Sequence, residues 1–142
     1  ALSAGKRDIE VLIISDAQTV NTSYRITKII NLAQEKKVPI IFKSKDNMSS
    51  MVQGQPHQNA ILKCSTLNAE MVSEPTKFDN GLYVFCDKIT DPQNFGAIVR
   101  SCLFFGAKGV MISKKNSSPL NSTVSKASSG ALELMPIFHI QR

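Results

Sequence analysis

Residues 82–100 read LYVFCDKITDPQNFGAIVR, and this stretch determines the fold class that the sequence predicts. Residues 82–86 form a continuous apolar run, which is typical of a strand buried on both faces of a parallel sheet. A polar loop follows, and the remaining residues predict a helix from about Asn94 to Phe105, with Asn94 as a good N-cap. A strand followed by a loop and a helix is the first part of a parallel β-α-β unit.

Two more strands and one more helix follow this unit. The apolar pattern predicts strands at 109–112 and 137–140 and a helix near 121–133. The alternation β-α-β-α-β predicts an open parallel sheet with right-handed crossovers and with its ligand site at the carboxyl ends of the strands. We therefore expect an α/β fold for residues 81–142.

The residues before this unit predict a second, smaller α/β domain. Its helices are expected from Thr22 or Ser23 onwards and at 46–53, and its strands at 9–14, 38–42 and 60–64. From Ser65 to Asn80 the sequence is polar and has no sustained period, which is typical of a linker. We therefore predict domains at 1–65 and 81–142, joined by a linker at 66–80.

The charge of the chain favours a polyanionic partner. Seventeen basic and eleven acidic residues give a net charge of +6, of which residues 1–65 carry nine basic minus five acidic, or +4. The first domain is therefore the better candidate for holding RNA, chiefly through Lys6, Arg7, Lys43 and Lys45. A surface that is merely solvated would explain the same charges equally well.

Other composition features exclude several classes of protein. No apolar run reaches the roughly 18 residues that a membrane-spanning helix needs, so we expect no membrane partner. The three cysteines, Cys64, Cys86 and Cys102, are widely spaced among apolar neighbours. This spacing fits neither a disulfide framework nor a metal site, and it favours buried thiols in a reducing compartment.

Arg100 is the first candidate for chemistry. A helical side chain leans towards the N-terminus, and the residues three and four positions before Arg100 are Ala97 and Gly96, which are small. Its guanidinium can therefore lie across the first turn, close to backbone N–H groups that favour a phosphate or a ribose. An ordinary surface salt bridge would explain the residue equally well. Lys114 and Lys115, in the loop after the second strand, suit either an RNA backbone or solvent.

The stretch from Asp87 to Arg100 closely resembles motif one of the SpoU (TrmH-type) RNA ribose 2′-O-methyltransferases. In that motif an Asn, here Asn94, precedes Gly-Ala and, six residues later, an Arg, here Arg100. The resemblance covers nearly all of residues 82–140. Within the family, the chain is most similar to the mitochondrial large-subunit ribosomal RNA methyltransferases of fungi.

A second signature of the family lies upstream. His57 and Gln58 resemble the first two residues of its His-Gln-Gly signature, which closes the N-terminal substrate-binding domain, and Asn59 stands in place of the glycine. The resemblance implies a small N-terminal RNA-binding domain, similar to certain ribosomal proteins, followed by the first half of a knotted (SPOUT) parallel-sheet methyltransferase domain.

The resemblance also implies a reaction, a cofactor and partners. The reaction is methyl transfer from S-adenosylmethionine to a ribose 2′-hydroxyl of structured RNA, expected to be large-subunit ribosomal RNA in the mitochondrion, by a complete enzyme that is a homodimer. Arg100 matches the catalytic arginine, Asn94 the motif-one asparagine, and Glu133 a recurring acidic residue of unassigned role. The family's cofactor-binding motifs are expected beyond Arg142, so the chain alone is expected to be inactive.

Two interpretations of the residues remain beside the enzyme. The chain could be a noncatalytic RNA-binding module, or a Rossmann-like binder of small nucleotides, although no glycine fingerprint follows a strand. For the enzyme, a guanidinium stays protonated and is a poor general base. We therefore expect Arg100 to stabilise the developing alkoxide or to hold a phosphate.

Overall fold

The structure is a computed structural model, and it describes residues 1–19, 23–72 and 78–140. The chain divides into two compact units, Leu2–Ser65 and Thr66–Arg142. Each unit combines a β-sheet with helices, which confirms the predicted α/β fold class. Within the described ranges, no helix has the length and apolar character that a bilayer crossing requires.

The N-terminal unit is a three-stranded sheet with two helices. The strand order is β2-β1-β3, in which β2 is parallel to β1 and β3 is antiparallel to it. The strands are β1 (Ile9–Ser15), β2 (Ile40–Lys43) and β3 (Ala60–Cys64), and the helices are α1 (Tyr24–Glu35) and α2 (Lys45–Met51).

The central strand β1 carries the core of this unit. Leu12 and Ile14 pack against Ile26 and Ala33 of α1. Because side chains alternate along a strand, Ile13 points to the opposite face, where it is also fully buried. The continuous apolar run at 11–14 therefore reflects a strand that is covered on both faces.

Helix α1 begins where a serine caps it. The Oγ of Ser23 accepts a hydrogen bond from the N–H of Ile26 at 3.4 Å, so Ser23 is the N-cap and the helix starts at Tyr24. The sequence predicted a helix from Thr22 or Ser23 onwards; Ser23 is confirmed as its N-cap, and Thr22 lies outside the described residues.

Strand β2 begins two residues later than predicted. The N–H of Val38 donates to the last turn of α1, at the carbonyl of Ala33 (2.9 Å), and so is not available to the sheet. Pro39 has no N–H, but its carbonyl accepts from Leu12 of β1 at 2.9 Å. Regular pairing therefore starts at Ile40.

The C-terminal unit is a four-stranded parallel sheet with helices. The strand order is β4-β7-β6-β5. The strands are β4 (Glu70–Met71), β5 (Tyr83–Cys86), β6 (Gly109–Ser113) and β7 (Ile137–Ile140), and the helices are α3 (Pro92–Phe104), α4 (Ser122–Ala127) and a 3-10 turn (Ala131–Glu133).

Part of the segment predicted as a linker is a strand in the structure. Glu70 and Met71 pair in parallel with Phe138 and His139 of β7, and the N–H of Val72 donates to the carbonyl of His139 at 2.9 Å. The expectation of an irregular linker throughout 66–80 was wrong. The strand is short and exposed, and its partner lies almost 70 residues later, so no local apolar pattern marks it.

Strand β5 is an edge strand of the described sheet and is not buried on both faces. The side chain of Phe85 is 41% exposed, while Cys86 is buried against the core. The prediction of two-sided burial was therefore wrong, because a continuous apolar run does not reveal whether a strand lies at the centre or the edge of its sheet.

Helices α3 and α4 pack through a glycine. Gly96 is buried on α3, and a Cβ built there would lie 2.5 Å from the Cβ of Ala127 and 3.0 Å from the backbone N of Ser128. The predicted helix at 121–133 is also shorter than expected. It ends at Ala127, because Ser129 and Gly130 adopt positive φ angles of 52° and 86°.

Candidate functional site

The loops at the carboxyl ends of β5 and β6 lie side by side. The hydroxyl of Ser113, the last residue of β6, lies 3.5 Å from a carboxylate oxygen of Asp87, the first residue after β5. The N–H of Ser118 donates to the carbonyl of Ile89 at 2.8 Å and joins the two loops further along. A ligand bound at this end of the sheet would contact both loops, which is where an open parallel sheet places its site.

Two lysines lie on the second of these loops. Lys114 and Lys115 follow Ser113 directly, and both side chains are exposed. The structure therefore leaves them accessible to a polyanion at the carboxyl ends of the strands, as the sequence predicted for their position.

Helix α3 is capped by an aspartate and not by Asn94. The carboxylate of Asp91 accepts a hydrogen bond from the N–H of Asn94 at 2.7 Å, and the helix starts at Pro92. The prediction of Asn94 as the N-cap was wrong because Asp91, followed by Pro at the first helical position, is the stronger start signal. Asn94 lies one turn inside the helix with an exposed side chain.

The aspartate cap also changes the expected setting of Arg100. A carboxylate already occupies the positive end of the helix dipole, so the first turn is not an open anion site. The guanidinium also cannot lie over Gly96, because α4 packs directly on that residue. Both parts of that expectation were wrong: sequence reasoning missed the Asp91-Pro92 start signal, and the packing of α4 on Gly96 is not visible in the local sequence.

Arg100 is exposed on the third turn of α3. Its side chain makes no hydrogen bond or ion pair with another described residue. Arg100 lies six positions after Asn94 on the helix, which corresponds to a rise of about 9 Å along the axis and a rotation of about 120° around it. The two side chains therefore do not share one helix face, although both remain accessible to a ligand.

Glu133, whose role the sequence left unassigned, is part of the interior. The residue is 2% exposed, and its carboxylate accepts a hydrogen bond from the hydroxyl of Ser125 at 3.1 Å. The neighbouring hydroxyl of Ser128 donates to the carbonyl of Ser125 and accepts from the N–H of Leu132. These bonds hold α4 and the 3-10 turn together beside α3, so Glu133 positions the helix that supports Gly96.

The cysteines of this unit are interior residues. Cys86 and Cys102 are buried, and all three cysteines of the chain are free thiols. Burial raises the pKa of both buried thiols, and for Cys86 the neighbouring Cys102 raises the pKa further. Both thiols therefore stay protonated near neutral pH and are poor nucleophiles.

The basic residues predicted to hold RNA lie at two opposite ends of the N-terminal sheet. Lys6 and Arg7 precede β1, whereas Lys43 pairs with Ser15 at the other end of that strand and Lys45 begins α2. The seven residues of β1 span about 23 Å. The four basic residues therefore do not form one surface patch.

Arg7 also has a structural role that sequence reasoning did not identify. Its guanidinium donates to the carbonyl of Ser65 at 3.0 Å, and the hydroxyl of Ser65 accepts from the N–H of Asp8 at 3.0 Å. These bonds fasten the start of β1 to the end of β3. Removing Arg7 would therefore disturb packing as well as charge.

A cleft of about 520 Å³ lies at the end of the sheet that carries Lys43. Sequence reasoning had singled out part of its lining through the His-Gln signature but had missed Arg25, because one arginine at the start of a helix carries no distinctive pattern. The lining residues are Ser23, Arg25, Ile26, Ile29, His57, Gln58, Asn59 and Ala60.

Comparison with known families covers almost the whole chain. Residues 1–69 match the model described as "RNA 2'-O ribose methyltransferase substrate binding", and residues 81–142 match the SpoU rRNA methylase model. The chain belongs to the SpoU family. The two matched ranges correspond to the two units of the structure, with the methylase match on the unit that carries Asn94 and Arg100.

Its SpoU relatives include proteins named rRNA methyltransferase 1, mitochondrial. The one from Schizosaccharomyces pombe is 32% identical over 99% of this chain and 55% of its own length, and the human one is 31% identical over 97% and 40%. The one from Saccharomyces cerevisiae is 51% identical over a shorter match, 49% of this chain and 16% of its own length. The chain thus spans about half or less of the relatives it matches.

Two solved methyltransferase structures share the fold. The methyltransferase AviRb from Streptomyces viridochromogenes, in complex with AdoMet, superposes with a TM-score of 0.75 over 99% of this chain and 51% of that one, at 16% identity. The AdoMet-bound rRNA methyltransferase from Sinorhizobium meliloti gives a TM-score of 0.72 over 99% and 49%, at 17% identity. These likenesses establish the fold of both units.

Proposed function

We propose that this chain is part of an enzyme that transfers a methyl group from S-adenosylmethionine to a ribose 2′-hydroxyl of large-subunit ribosomal RNA. The observation that carries the proposal is the pairing of a substrate-binding match with a methylase match on one chain, over two separately folded units. The mitochondrial names of the relatives support the mitochondrion as its location.

Arg100 is the proposed catalytic residue, with Asn94 nearby on the same helix. The 2′-hydroxyl develops negative charge as it attacks the methyl group, and a guanidinium that is not engaged by another described residue can stabilise that charge. Because it stays protonated, it acts as an electrostatic stabiliser or a phosphate clamp and not as a base. Lys114 and Lys115, on the adjoining edge of the sheet, are proposed to contact the RNA backbone.

The described residues do not by themselves fit the cofactor. S-adenosylmethionine carries a sulfonium, and the loop after β6 presents the cations Lys114 and Lys115, which oppose a positive ligand. The loop after β5 carries two acidic residues, but Asp87 lies beside Ser113 and Asp91 caps α3. The residues that hold the cofactor are therefore proposed to lie in the part of the relatives' length that this chain does not span.

The decisive experiment incubates the full-length protein with a large-subunit ribosomal RNA transcript and methyl-labelled S-adenosylmethionine. Alkaline hydrolysis then locates the methyl group, because a methylated 2′-oxygen can no longer attack the adjacent phosphodiester. We expect one protected linkage that carries the label. Label in nucleotides that hydrolyse normally would exclude ribose methylation, and tight RNA binding without any label would favour the noncatalytic module.

We also propose that the complete protein is a homodimer. Phe104 and Phe105, at the end of α3, are 83% and 75% exposed, and such adjoining apolar side chains mark interaction surfaces. Sedimentation of the full-length protein should show a dimer that Phe104→Ser/Phe105→Ser shifts to monomer. The control is Tyr24→Ser, an exposed aromatic in the other unit, which should leave the dimer intact.

A further inference from the structure

The cleft in the N-terminal unit has the size of a site for one small ligand. Its volume of about 520 Å³ falls in the range of roughly 300–1,000 Å³ that such sites occupy. It lies between the first turns of α1 and the residues that lead into β3, with Ile26 and Ile29 on the helix side. One part of its wall is thus apolar, and the other parts carry polar side chains.

The polar wall of the cleft is held by His57. Its Nδ1 accepts a hydrogen bond from the N–H of Asn59 at 3.2 Å, and its Nε2 lies 3.2 Å from the hydroxyl of Ser49 on α2. Since Nδ1 accepts, Nε2 carries the proton and donates to Ser49. With both ring nitrogens engaged, His57 is a positioning residue that fixes the turn before β3.

The two residues after His57 adopt left-handed backbone conformations. Gln58 has a φ of 47° and Asn59 a φ of 65°. Asn tolerates this region, but for Gln it costs roughly 1–2 kcal/mol. The carbonyl of Asn59 also accepts from the N–H of Ser15 at 3.1 Å, which ties the turn to the end of β1. A strained turn held from both sides keeps its side chains in fixed positions at the cleft.

Three polar side chains of this cleft, those of Arg25, Gln58 and Asn59, are available to a ligand. The guanidinium of Arg25 and the amides of Gln58 and Asn59 form no hydrogen bond with another described residue. Side-chain amides present a donor and an acceptor together, which matches the hydrogen-bonding edge of a nucleobase. Arg25 offers a cation for the phosphate, and Lys43 lies at the same end of the sheet, opposite Ser15.

We propose that this cleft binds one unstacked nucleotide of the RNA substrate, with Gln58 and Asn59 contacting the base edge, Ile26 and Ile29 packing on its face, and Arg25 holding its phosphate. Proteins that recognise RNA sequence mostly read unstacked bases in loops, because side chains cannot enter the deep, narrow major groove of an RNA duplex. The proposal rests on the proposed function in one respect, that the occupant is the enzyme's RNA substrate.

The test compares variants of the 142-residue chain that spare the backbone. Asn59→Gly and Gln58→Gly remove an amide at positions where glycine adopts the observed φ freely. Arg25→Ala removes the proposed phosphate contact. The matched control is Lys36→Ala, which removes one exposed charge at the far end of the same helix. Fluorescence anisotropy measures binding to a hairpin with an unpaired loop and to a fully paired duplex of equal length.

We expect Asn59→Gly to weaken hairpin binding about tenfold or more and duplex binding hardly at all, since a base-edge contact discriminates by that order. Arg25→Ala should weaken hairpin binding and lower its salt dependence, while Lys36→Ala should change little. Equal losses for hairpin and duplex, or for Arg25→Ala and Lys36→Ala, would overturn the proposal. So would saturation by a free nucleoside monophosphate at micromolar concentration that RNA does not displace.

Activity of the full-length protein separates this inference from the proposed function. If Asn59→Gly raises the KM for RNA and leaves kcat unchanged, the cleft assignment and the proposed methyltransferase activity are both supported. Loop-selective binding that depends on Asn59, in a protein that transfers no methyl group, would leave the cleft assignment standing and the proposed methyltransferase activity rejected. Full methylation with unchanged KM in Asn59→Gly would reject the cleft alone.

Discussion

The exposed side chain of Arg100 forms no hydrogen bond or ion pair with another described residue. Such a residue contributes little to folding, so its effect on activity can be measured without a large loss of stability. This separates it from Arg7, whose guanidinium is bonded to Ser65. Of the two arginines, only Arg100 allows a clean test of chemistry by deletion.

We predict that Arg100→Ala in the complete enzyme lowers single-turnover methylation about a hundredfold or more and RNA affinity only a few-fold. Arg100→Lys keeps the charge but loses the planar fork, so it should restore binding better than turnover. The control is Lys108→Ala, which removes an exposed charge just before β6, at the other end of the sheet. A near-wild-type rate for Arg100→Ala would remove the residue from the mechanism.

A second residue-scale prediction concerns the buried carboxylate of Glu133. Ser125→Ala removes a hydroxyl that donates to it, and a buried acceptor that loses its donor costs about 1–3 kcal/mol. Thermal unfolding should therefore show a lower midpoint for Ser125→Ala than for Ser122→Ala, which removes an exposed hydroxyl from the same helix. Equal midpoints would mean that other interactions hold the carboxylate in place.

At the scale of elements, the helix pair α3–α4 depends on one missing side chain. A Cβ at Gly96 would lie 2.5 Å from the Cβ of Ala127, and 3.0 Å from the backbone oxygen of Val124 and from the backbone nitrogen of Ser128, the C-cap of α4. We predict that Gly96→Ala destabilises the chain by about 1–3 kcal/mol through overpacking, despite the better helix propensity of alanine. Denaturant unfolding measures this, with the exposed Gln93→Ala on the same helix as the control.

A double-mutant cycle tests the cause of that loss. Ala127→Gly removes the closest atom, so in the Gly96→Ala background it should recover part of the lost stability, while the close backbone atoms of Ser128 and Val124 keep the rest from being regained. If the two substitutions were additive, the clash between these residues would not be the source of the destabilisation.

The sequence alone predicted the elements that a local pattern of apolar residues specifies. Strand β3 is confirmed at both ends, 60 and 64, and strand β7 at its start, Ile137, because each is a short, mostly apolar segment. Strand β4 was missed, because it is defined by its pairing with β7, which lies far along the chain. The cap of α3 was misplaced by three residues, because Asp91 and Asn94 are both good caps and only the fold selects one.

The candidate site was predicted in its parts but not in its arrangement. The side chains of Asn94, Arg100, Lys114 and Lys115 are all exposed in the C-terminal unit, and their roles stay predictions. Net charge, however, does not reveal position, and the basic residues of the first domain are divided between two ends of a sheet. The cleft was beyond sequence reasoning, because its walls come from α1 and from the turn before β3, about 30 residues apart.

At the scale of the whole molecule, the net charge of +6 predicts that RNA binding weakens steeply with salt, and the fold predicts which charges cause it. Lys43 and Lys45 lie at the cleft end of the N-terminal sheet. Lys43→Ala/Lys45→Ala should therefore reduce the slope of log affinity against log salt by about 0.7–0.9 for each phosphate that is no longer neutralised. Lys6→Ala, at the opposite end, should leave the slope nearly unchanged.

Titrations of the 142-residue chain between dilute and physiological salt measure the slopes of the unsubstituted chain and of both variants. If Lys6→Ala lowered the slope as much per charge as the double variant, RNA would be held by charge spread over the whole surface, and the cleft end would have no preference.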